Sequence, residues 1–495
     1  MKSTITLLCS MCCALSVFAQ TPCLEVVGYY PGWQWYDRNN LVSPSTIDYS
    51  QYTIIQYAFM NVLADGHLQI TDPWGDKNLL LGSINWATAP FGYDTAYDLG
   101  NSDYHIANTN LAHYCHQNDV QLLMSVGGWT QSFNFSSIAA DATLRSTFAS
   151  DCAYICALYE LDGIDIDWEY PANAQDAANF TLLLEDVREA LDAMEITMSQ
   201  ELMLTAAVSA SSTSMEFIEW DNVVPLLDII NLMSYDFYGT WDAVLNHNAP
   251  LYTPAQGDAT FSCDYALQNL MTVHAVPAGK ITMGIPFYGR TQLSNTTPAL
   301  FGTGNGQADN SHFGVDEGTP LYYNILLQQD DFTTYWDNVA KVPYALSSTN
   351  NSFLSYDDSA SVALKAQYIV EHQLRGCIIW EITGDYVETS PGSGVIADTP
   401  LARSINDVFC ATPERVTEAE ESFVLYPNPA EQYIRLRFTS NVRHDEVVLC
   451  NYLGQTVRVI PISNGSDVVI PLEDLSEGCY HLRIGNHVHL FMKQN

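Results

Sequence analysis

The chain has 495 residues, enough for one large domain and a smaller companion, and its 47% hydrophobic residues suffice for a sizeable core. With 57 acidic against 18 basic residues the net charge is −39, which excludes a nucleic-acid partner, whose phosphates need a basic face. A neutral polymer meets no such repulsion, although acidity alone also keeps an exported protein soluble.

The N-terminus reads as a signal peptide over residues 1–19. Lys2 supplies the positive end, an apolar run extends from Ile5 to Phe18, and Val17 and Ala19 are small residues at cleavage spacing, so Gln20 is the expected first mature residue. No later stretch reaches ~18 uninterrupted apolar residues, so no transmembrane helix is expected. Of the 12 cysteines, Cys9, Cys12 and Cys13 lie in the leader, outside a convincing lipid-attachment context. The remainder (Cys23, Cys115, Cys152, Cys156, Cys263, Cys377, Cys410, Cys450 and Cys479) is odd in number, so at least one is unpaired unless it bonds between chains. Cys152 and Cys156, four apart on a predicted helix, are as readily buried thiols as partners. The remaining cysteines form no CxxC and no His/Cys cluster, so neither a metal site nor another cofactor is implied.

Eight short apolar, β-rich runs follow in order: Val26–Trp33, Thr53–Val62, Gln121–Gly128, Gly163–Tyr170, Leu202–Ser209, Asp228–Asp236, Lys280–Gly289 and Gly376–Ile382. Most are continuously apolar, as strands buried on both faces should be. Helical spacing lies between several, as in Asn179–Ala193. Alternating strands and helices predict a (β/α)8 barrel over residues 20–410. That span is long for the fold and requires insertions, one between Leu63 and Asp119 and one over 291–356, before the eighth strand. Residues 411–422 are polar and acidic, like a linker. From Phe423 the pattern changes to short alternating strands (Tyr433–Phe438, Glu446–Asn451, Val457–Ile462, Val468–Pro471 and Cys479–Ile484), predicting a small all-β domain over 423–495.

The sharpest feature is Asp162-Gly-Ile-Asp165-Ile-Asp167-Trp-Glu169-Tyr-Pro171. Residues two apart on a strand share a face, so Asp165, Asp167 and Glu169 line one side, while Ile164, Ile166 and Trp168 face the other. In a barrel the first side is the interior, with Glu169 near the C-terminal mouth where active sites of this fold lie. Like charges so close cannot all ionise, so protons are shared and at least one pKa rises. A carboxylic acid still protonated near neutral pH is what a general acid requires. Two other readings compete: a divalent-cation site, disfavoured because the outer carboxylates stand about 7 Å apart, and a purely structural ladder.

The ladder resembles the DxxDxDxE motif of glycoside hydrolase family 18, the chitinases, and its Trp-Glu-Tyr-Pro ending is typical of the chitinase members. Further motifs occur in family order. Tyr57-Ala-Phe59 resembles the second strand, Ser125-Val-Gly127-Gly128-Trp129 the SxGG signature of the third, and Met233-Ser-Tyr235-Asp236-Phe-Tyr-Gly239 the sixth. Gly-Ile-Pro-Phe-Tyr288-Gly-Arg290 resembles the seventh, and Tyr356-Asp-Asp with Ser361, Lys365 and Trp380-Glu381 the eighth. The resemblance implies substrate-assisted hydrolysis of chitin or chito-oligosaccharides, in which the acetamido oxygen of the sugar replaces an enzyme nucleophile. It gives Glu169 as acid and then base. It gives Asp167 the acetamido N–H, with Asp165 sharing a proton with Asp167, and Tyr235 a hydrogen bond to the acetamido group. Asp236 and Arg290 are implied to position the sugar. Trp129, Tyr170, Trp241, Tyr288 and Trp380 would line the cleft, with Trp380 under the reactive sugar, and Met233 and Tyr57 would shape its floor. Ser125 would bond the carboxylates, Gly127 and Gly128 would leave room for close packing, and Asp162, of different parity, would be structural. Trp33 and Trp35 could extend the cleft. The 291–356 insertion resembles the small α+β domain that walls the cleft in one chitinase subgroup.

Leu425-Tyr-Pro-Asn-Pro-Ala430, Asn451-Tyr-Leu-Gly-Gln455, Asp474-Leu-Ser-Glu-Gly-Cys-Tyr480 and the ending at Lys493 resemble the sorting domain of the type IX secretion system of Bacteroidota. That resemblance implies a secreted or cell-surface protein that engages the secretion machinery; a carbohydrate-binding module is the competing reading of a small β domain. A monomer is expected. Two alternatives to chitinase stand beside it: an endo-β-N-acetylglucosaminidase acting on glycoprotein glycans, which would share the ladder, and a chitin-binding lectin, which would have lost the acid that Glu169 supplies.

Overall fold

The computed structural model describes residues 24–82 and 108–410, and beyond them the strands between 423 and 493 with a few flanking residues. The expected leader (1–19), Cys23 and the linker (411–422) lie outside the described residues, as does much of the first insertion. The chain divides into two compact units, Met1–Cys410 and Ala411–Asn495.

In the first unit eight parallel strands close on themselves: β1 (Glu25–Pro31), β2 (Ile54–Val62), β3 (Gln121–Gly127), β4 (Gly163–Asp167), β5 (Met203–Ser209), β6 (Ile229–Met233), β7 (Ile281–Pro286) and β8 (Gly376–Trp380). Each pairs with its sequence neighbour and β8 returns to pair with β1, which makes the expected (β/α)8 barrel. A short strand, Leu68–Ile70, adds antiparallel to β2. Alternation sorts the side chains. Val27, Tyr29, Ile54, Ala58, Leu123, Ile229 and Ile378 fill the interior, and Ile55, Tyr57, Ile164, Ile166 and Leu204 pack outward beneath the helices.

The strands end earlier than their apolar runs. β4 stops at Asp167, β6 at Met233 and β7 at Pro286, so Glu169, Tyr170, Tyr235, Asp236 and Tyr288 stand on the turns beyond. Helix Ala174–Met198 is longer than its predicted core and is capped by the Asn173 side chain, which accepts from Gln175 and Asp176 N–H. The second insertion is α+β as expected. Strands Thr333–Asp337, Val342–Ser347, Ser352–Ser355 and Arg290–Leu293 form one antiparallel sheet, accompanied by helix Tyr322–Leu327. Arg290 therefore begins an insertion strand rather than lying beyond a seventh barrel strand. Cys115, Cys152, Cys156, Cys263 and Cys377 are buried free thiols, so Cys152 and Cys156 serve as small core residues.

The second unit is all-β. Strands Phe423–Tyr426, Tyr433–Phe438 and Asp467–Pro471 form one antiparallel sheet, and Thr456–Pro461, Glu446–Asn451, Gly478–Ile484 and His487–Lys493 another. Ile434, Leu436, Val447, Leu449, Ile470, Leu482 and Tyr480 make its core. The first and last of these strands are additions to the predicted set.

Candidate active site

The inward side chains of β4 meet donors from four other strands. Asp165 is fully buried. Its Oδ2 accepts from the Tyr29 hydroxyl of β1 at 2.9 Å and from Ser125 Oγ of β3 at 2.8 Å. Its Oδ1 accepts from Thr205 Oγ1 of β5 at 2.5 Å and from Asn231 Nδ2 of β6 at 3.1 Å. Burial pushes the Asp165 carboxyl up, and these donors, which favour the charged form, oppose it. A carboxylate so completely occupied by protein donors also leaves little to offer a cation, against the metal reading of the ladder.

Asp167 is the opposite case. It is buried, and its Oδ1 has no partner. Burial, then the charge of Glu169, then that of Asp165, hold its pKa well above the carboxylate range. Glu169 follows on the turn, its N–H donating to Ser132 Oγ at 2.9 Å. Burial pushes its carboxyl up to about 7; the Tyr170 hydroxyl opposes the shift and the Asp236 charge adds to it.

Gly127 and Gly128 make this packing possible. Their φ values are +112° and +86°, and the Gly128 N–H donates to the Asp167 carbonyl at 2.8 Å. A Cβ on Gly127 would lie 2.3 Å from that carbonyl oxygen, and one on Gly128 2.6 Å from the Phe59 ring.

Beside the acid stands a charged hub. Asp236 receives Arg290 Nε at 2.8 Å and Nη2 at 2.7 Å, and the Tyr288 hydroxyl at 2.6 Å. The guanidinium lies 5.0 Å from the Trp241 ring, and Tyr235 meets Tyr288 edge-on at 6.1 Å. The floor is aromatic. Trp380 stacks on Phe59 at 5.6 Å and 19°, and packs with Tyr29 at 5.6 Å and Trp33 at 6.4 Å. Met233 packs into the same cluster. Trp129, just past β3, is 74% exposed, Trp241 58% and Trp33 46%, so large apolar faces lie open to solvent.

Two expectations are settled by parity. Tyr57 does not reach the cleft. Its neighbours Gln56 and Ala58 point inward, so Tyr57 points outward, against Tyr30, with its hydroxyl on Asp76 Oδ1 at 2.5 Å. Asp162 sits before β4, its Oδ2 accepting from Leu122 N–H at 2.7 Å and from His116, and its Oδ1 from Gln200, which is a structural arrangement. The structure also brings in Tyr29, Phe59, Thr205 and Asn231, which motif reading passed over. Tyr29 sits in the continuous run Val-Val-Gly-Tyr-Tyr, where nothing in the sequence says which tyrosine faces in. Phe59 shares the strand parity of the outward Tyr57, so period-two reading sends it outward too; a register shift between Ala58 and Met60 brings it to the interior instead.

A closed parallel barrel whose mouth carries Glu169 and the buried Asp167 above an aromatic floor has the architecture of a glycoside hydrolase. The chain belongs to the family described as Glycosyl hydrolases family 18, which residues 25–385 match; residues 424–494 match the Secretion system C-terminal sorting domain. It is 34% identical to Chitinase A1 of Niallia circulans over 431 residues, covering 79% of this chain and 60% of that protein's length. Among solved structures it is similar to chitinase ChiA74 from Bacillus thuringiensis (26% identity, TM-score 0.67, 96% of this chain and 85% of that one). It is likewise similar to the Ostrinia furnacalis Group IV chitinase in complex with allosamidin (30% identity, TM-score 0.64, 78% and 99%).

Proposed function

We propose that the chain is an exported chitinase that hydrolyses β-1,4 bonds between N-acetylglucosamine units with retention, through an oxazolinium intermediate. The observation that carries this reading is the buried Asp167 with an unpartnered Oδ1, its pKa pushed up by burial and by the charge of Glu169, beside a Glu169 whose carboxyl is pushed up to about 7. Protonated Glu169 gives its proton to the glycosidic oxygen as the C1–O bond breaks, and the substrate's acetamido oxygen closes on C1. Asp167 Oδ1 takes the acetamido N–H, and as positive charge develops the proton of Asp167 passes to Asp165, with which it is shared, leaving Asp167 ionised until the oxazolinium opens and the proton returns. Glu169, now a carboxylate, removes a proton from water as that water opens the oxazolinium, and the starting protonation returns. Tyr235 holds the acetamido group and the Asp236–Arg290–Tyr288 hub the sugar hydroxyls. Trp380 lies under the reactive sugar, while Trp129, Trp241 and Tyr170 line the cleft on either side.

The C-terminal unit directs the protein through a type IX secretion system to the cell surface or medium of a Bacteroidota-type bacterium. The activity is tested with a chromogenic chitobioside. Hydrolysis should vanish in Glu169→Gln with circular dichroism unchanged, and full activity in that variant would overturn the assignment. Release from chito-oligomers set against release from a high-mannose glycoprotein separates the chitinase from an endo-β-N-acetylglucosaminidase, and binding without turnover would mark a lectin.

A further inference from the structure

Asp236 occupies a left-handed backbone conformation, φ +60°, at the point where its carboxylate must meet Arg290 and Tyr288. Aspartate tolerates this region better than most residues, but the conformation still has to be held. The holder is Asn248, twelve residues on and buried to 1% exposure. Its side-chain Oδ1 accepts the Asp236 N–H at 3.0 Å, and its carbonyl accepts the Phe237 N–H at 3.0 Å. Its own N–H donates to Ser355 Oγ at 2.7 Å. Ser355 is the register partner of Arg290 in the insertion sheet. Next to it His247, fully buried, reaches Asp337 of the same sheet at 3.0 Å. The two residues that make the ion pair of the hub are thus placed from opposite sides of one short segment. One is held through the backbone of Asp236 and the other through the strand that carries Arg290.

We propose that Asn248 is a positioning residue for the glycosidase reaction: it fixes the backbone of Asp236 and, through Ser355, makes the insertion sheet a determinant of hub geometry as well as a wall of the cleft. The proposal rests on the reading that the Asp236 hub binds the reacting sugar. It predicts a coupling that a general loss of stability cannot produce.

The test is a double-mutant cycle on the full chain with a chromogenic chitobioside. Asn248→Ala should lower kcat/KM roughly tenfold, the scale of one lost buried hydrogen bond. In an Asp236→Ala background the same change should cost about twofold or less, because there is no carboxylate left to misplace. The fall in Tm should be alike in both backgrounds. Equal fold losses in both, or a lowered Tm with kcat/KM intact, would overturn the proposal. Should Asn248→Ala fail to fold, Ser355→Ala takes its place in the cycle with a smaller loss expected, again only when Asp236 is present; an additive or absent effect overturns the proposal there too. Full activity in Asp236→Ala alone would instead remove the reading of the hub, and the proposal with it.

Discussion

Tyr29 on the first barrel strand donates its hydroxyl to Asp165 on the fourth at 2.9 Å. With Ser125, Thr205 and Asn231 it surrounds one carboxylate of the ladder with donors that favour its charged form, whereas Asp167 Oδ1 has none. Motif reading has Asp165 and Asp167 share a proton; the donors rank the two.

Removing one donor should blur that ranking. Tyr29→Phe keeps the ring against Trp380 and takes away only the hydroxyl. A hydrogen bond to a charged group contributes about 1.5–3 kcal/mol, so the Asp165 pKa should rise and the proton spend more time there. The expected result is a fall in kcat of about tenfold with KM on a chitobioside nearly unchanged. A larger effect on KM than on kcat would place Tyr29 in binding instead.

Glu169 sets the alkaline side of the pH profile. It must be protonated to act as acid, and its carboxyl is raised to about 7, so kcat/KM should decline as pH rises through that value. The same shift works against the folded state. A carboxyl raised on folding binds its proton more tightly in the native chain, so stability is lost as pH rises from the unfolded value of about 4.5 through about 7. Glu169→Gln removes the ionisation, and should be more stable than the parent at pH 8 by up to about 3 kcal/mol yet no more stable at pH 4. Thermal melts at the two pH values decide it.

Gly128→Ala tests the contact between the ladder and the floor. The added Cβ would fall 2.6 Å from Phe59, whose ring stacks on Trp380, and the backbone there is left-handed. Overpacking and the lost φ freedom together should cost about 2–4 kcal/mol. Activity should fall further than stability accounts for, because the Phe59 ring is bounded by Trp380 and Trp33 and any retreat disturbs the floor. A variant with native Tm and native KM would show that the floor is not rigid.

The eight strands were legible because parallel strands buried on both faces read as apolar runs, and the ladder because two-residue periodicity orders Asp165, Asp167 and Glu169 without tertiary information. What escaped has a physical reason. Apolar runs say nothing of which side faces in, so nothing in them turns Tyr57 away from the cleft floor or marks Tyr29 as inward. Nor do they mark where a strand ends, since Trp168 continues the apolar character past the end of β4 at Asp167. Asn248 and Arg38 act on backbone atoms of residues far away in sequence, a role with no local signature.

The barrel unit should stand without the C-terminal unit. Its sheet closes through β1 and β8, and its last helix, Pro400–Phe409, buries Leu401, Ala402 and Ile405 in the barrel core. A chain ended after Cys410 should fold and hydrolyse soluble chito-oligomers like the parent when produced in the cytoplasm, and should fail to leave the cell in its native host. Ending it before Pro400 should lower Tm sharply, because those side chains would leave a cavity lined by apolar groups.

Arg38 should prove to be the clamp on the Trp33 segment. Its guanidinium donates to the Tyr386 carbonyl at 2.5 Å, the Thr383 carbonyl at 3.0 Å and Asp37 at 2.8 Å, and it lies 3.5 Å from the Tyr323 ring centroid. Tyr323 in turn donates to Asp37 at 3.1 Å. One side chain thereby joins the loop after β1, the turn after β8 and the insertion, while Arg38, Asn39 and Asn40 all adopt left-handed φ between 47° and 62°. Arg38→Ala would leave the Tyr386 carbonyl without its donor, weaken the hold on that of Thr383 and release that strained run, at a cost of about 2–3 kcal/mol. Since that run ends the Gly32–Asn39 segment that carries Trp33, whose ring packs on Phe59 and Trp380, KM should rise for chito-oligomers long enough to cover Trp33, while a chitobioside, bound at the acid, should be affected less. Arg38→Lys should not rescue it, because an ammonium lacks the planar fork that reaches both carbonyls and stacks on Tyr323. Equal changes for short and long substrates would mean that Arg38 holds the whole mouth together rather than the Trp33 segment.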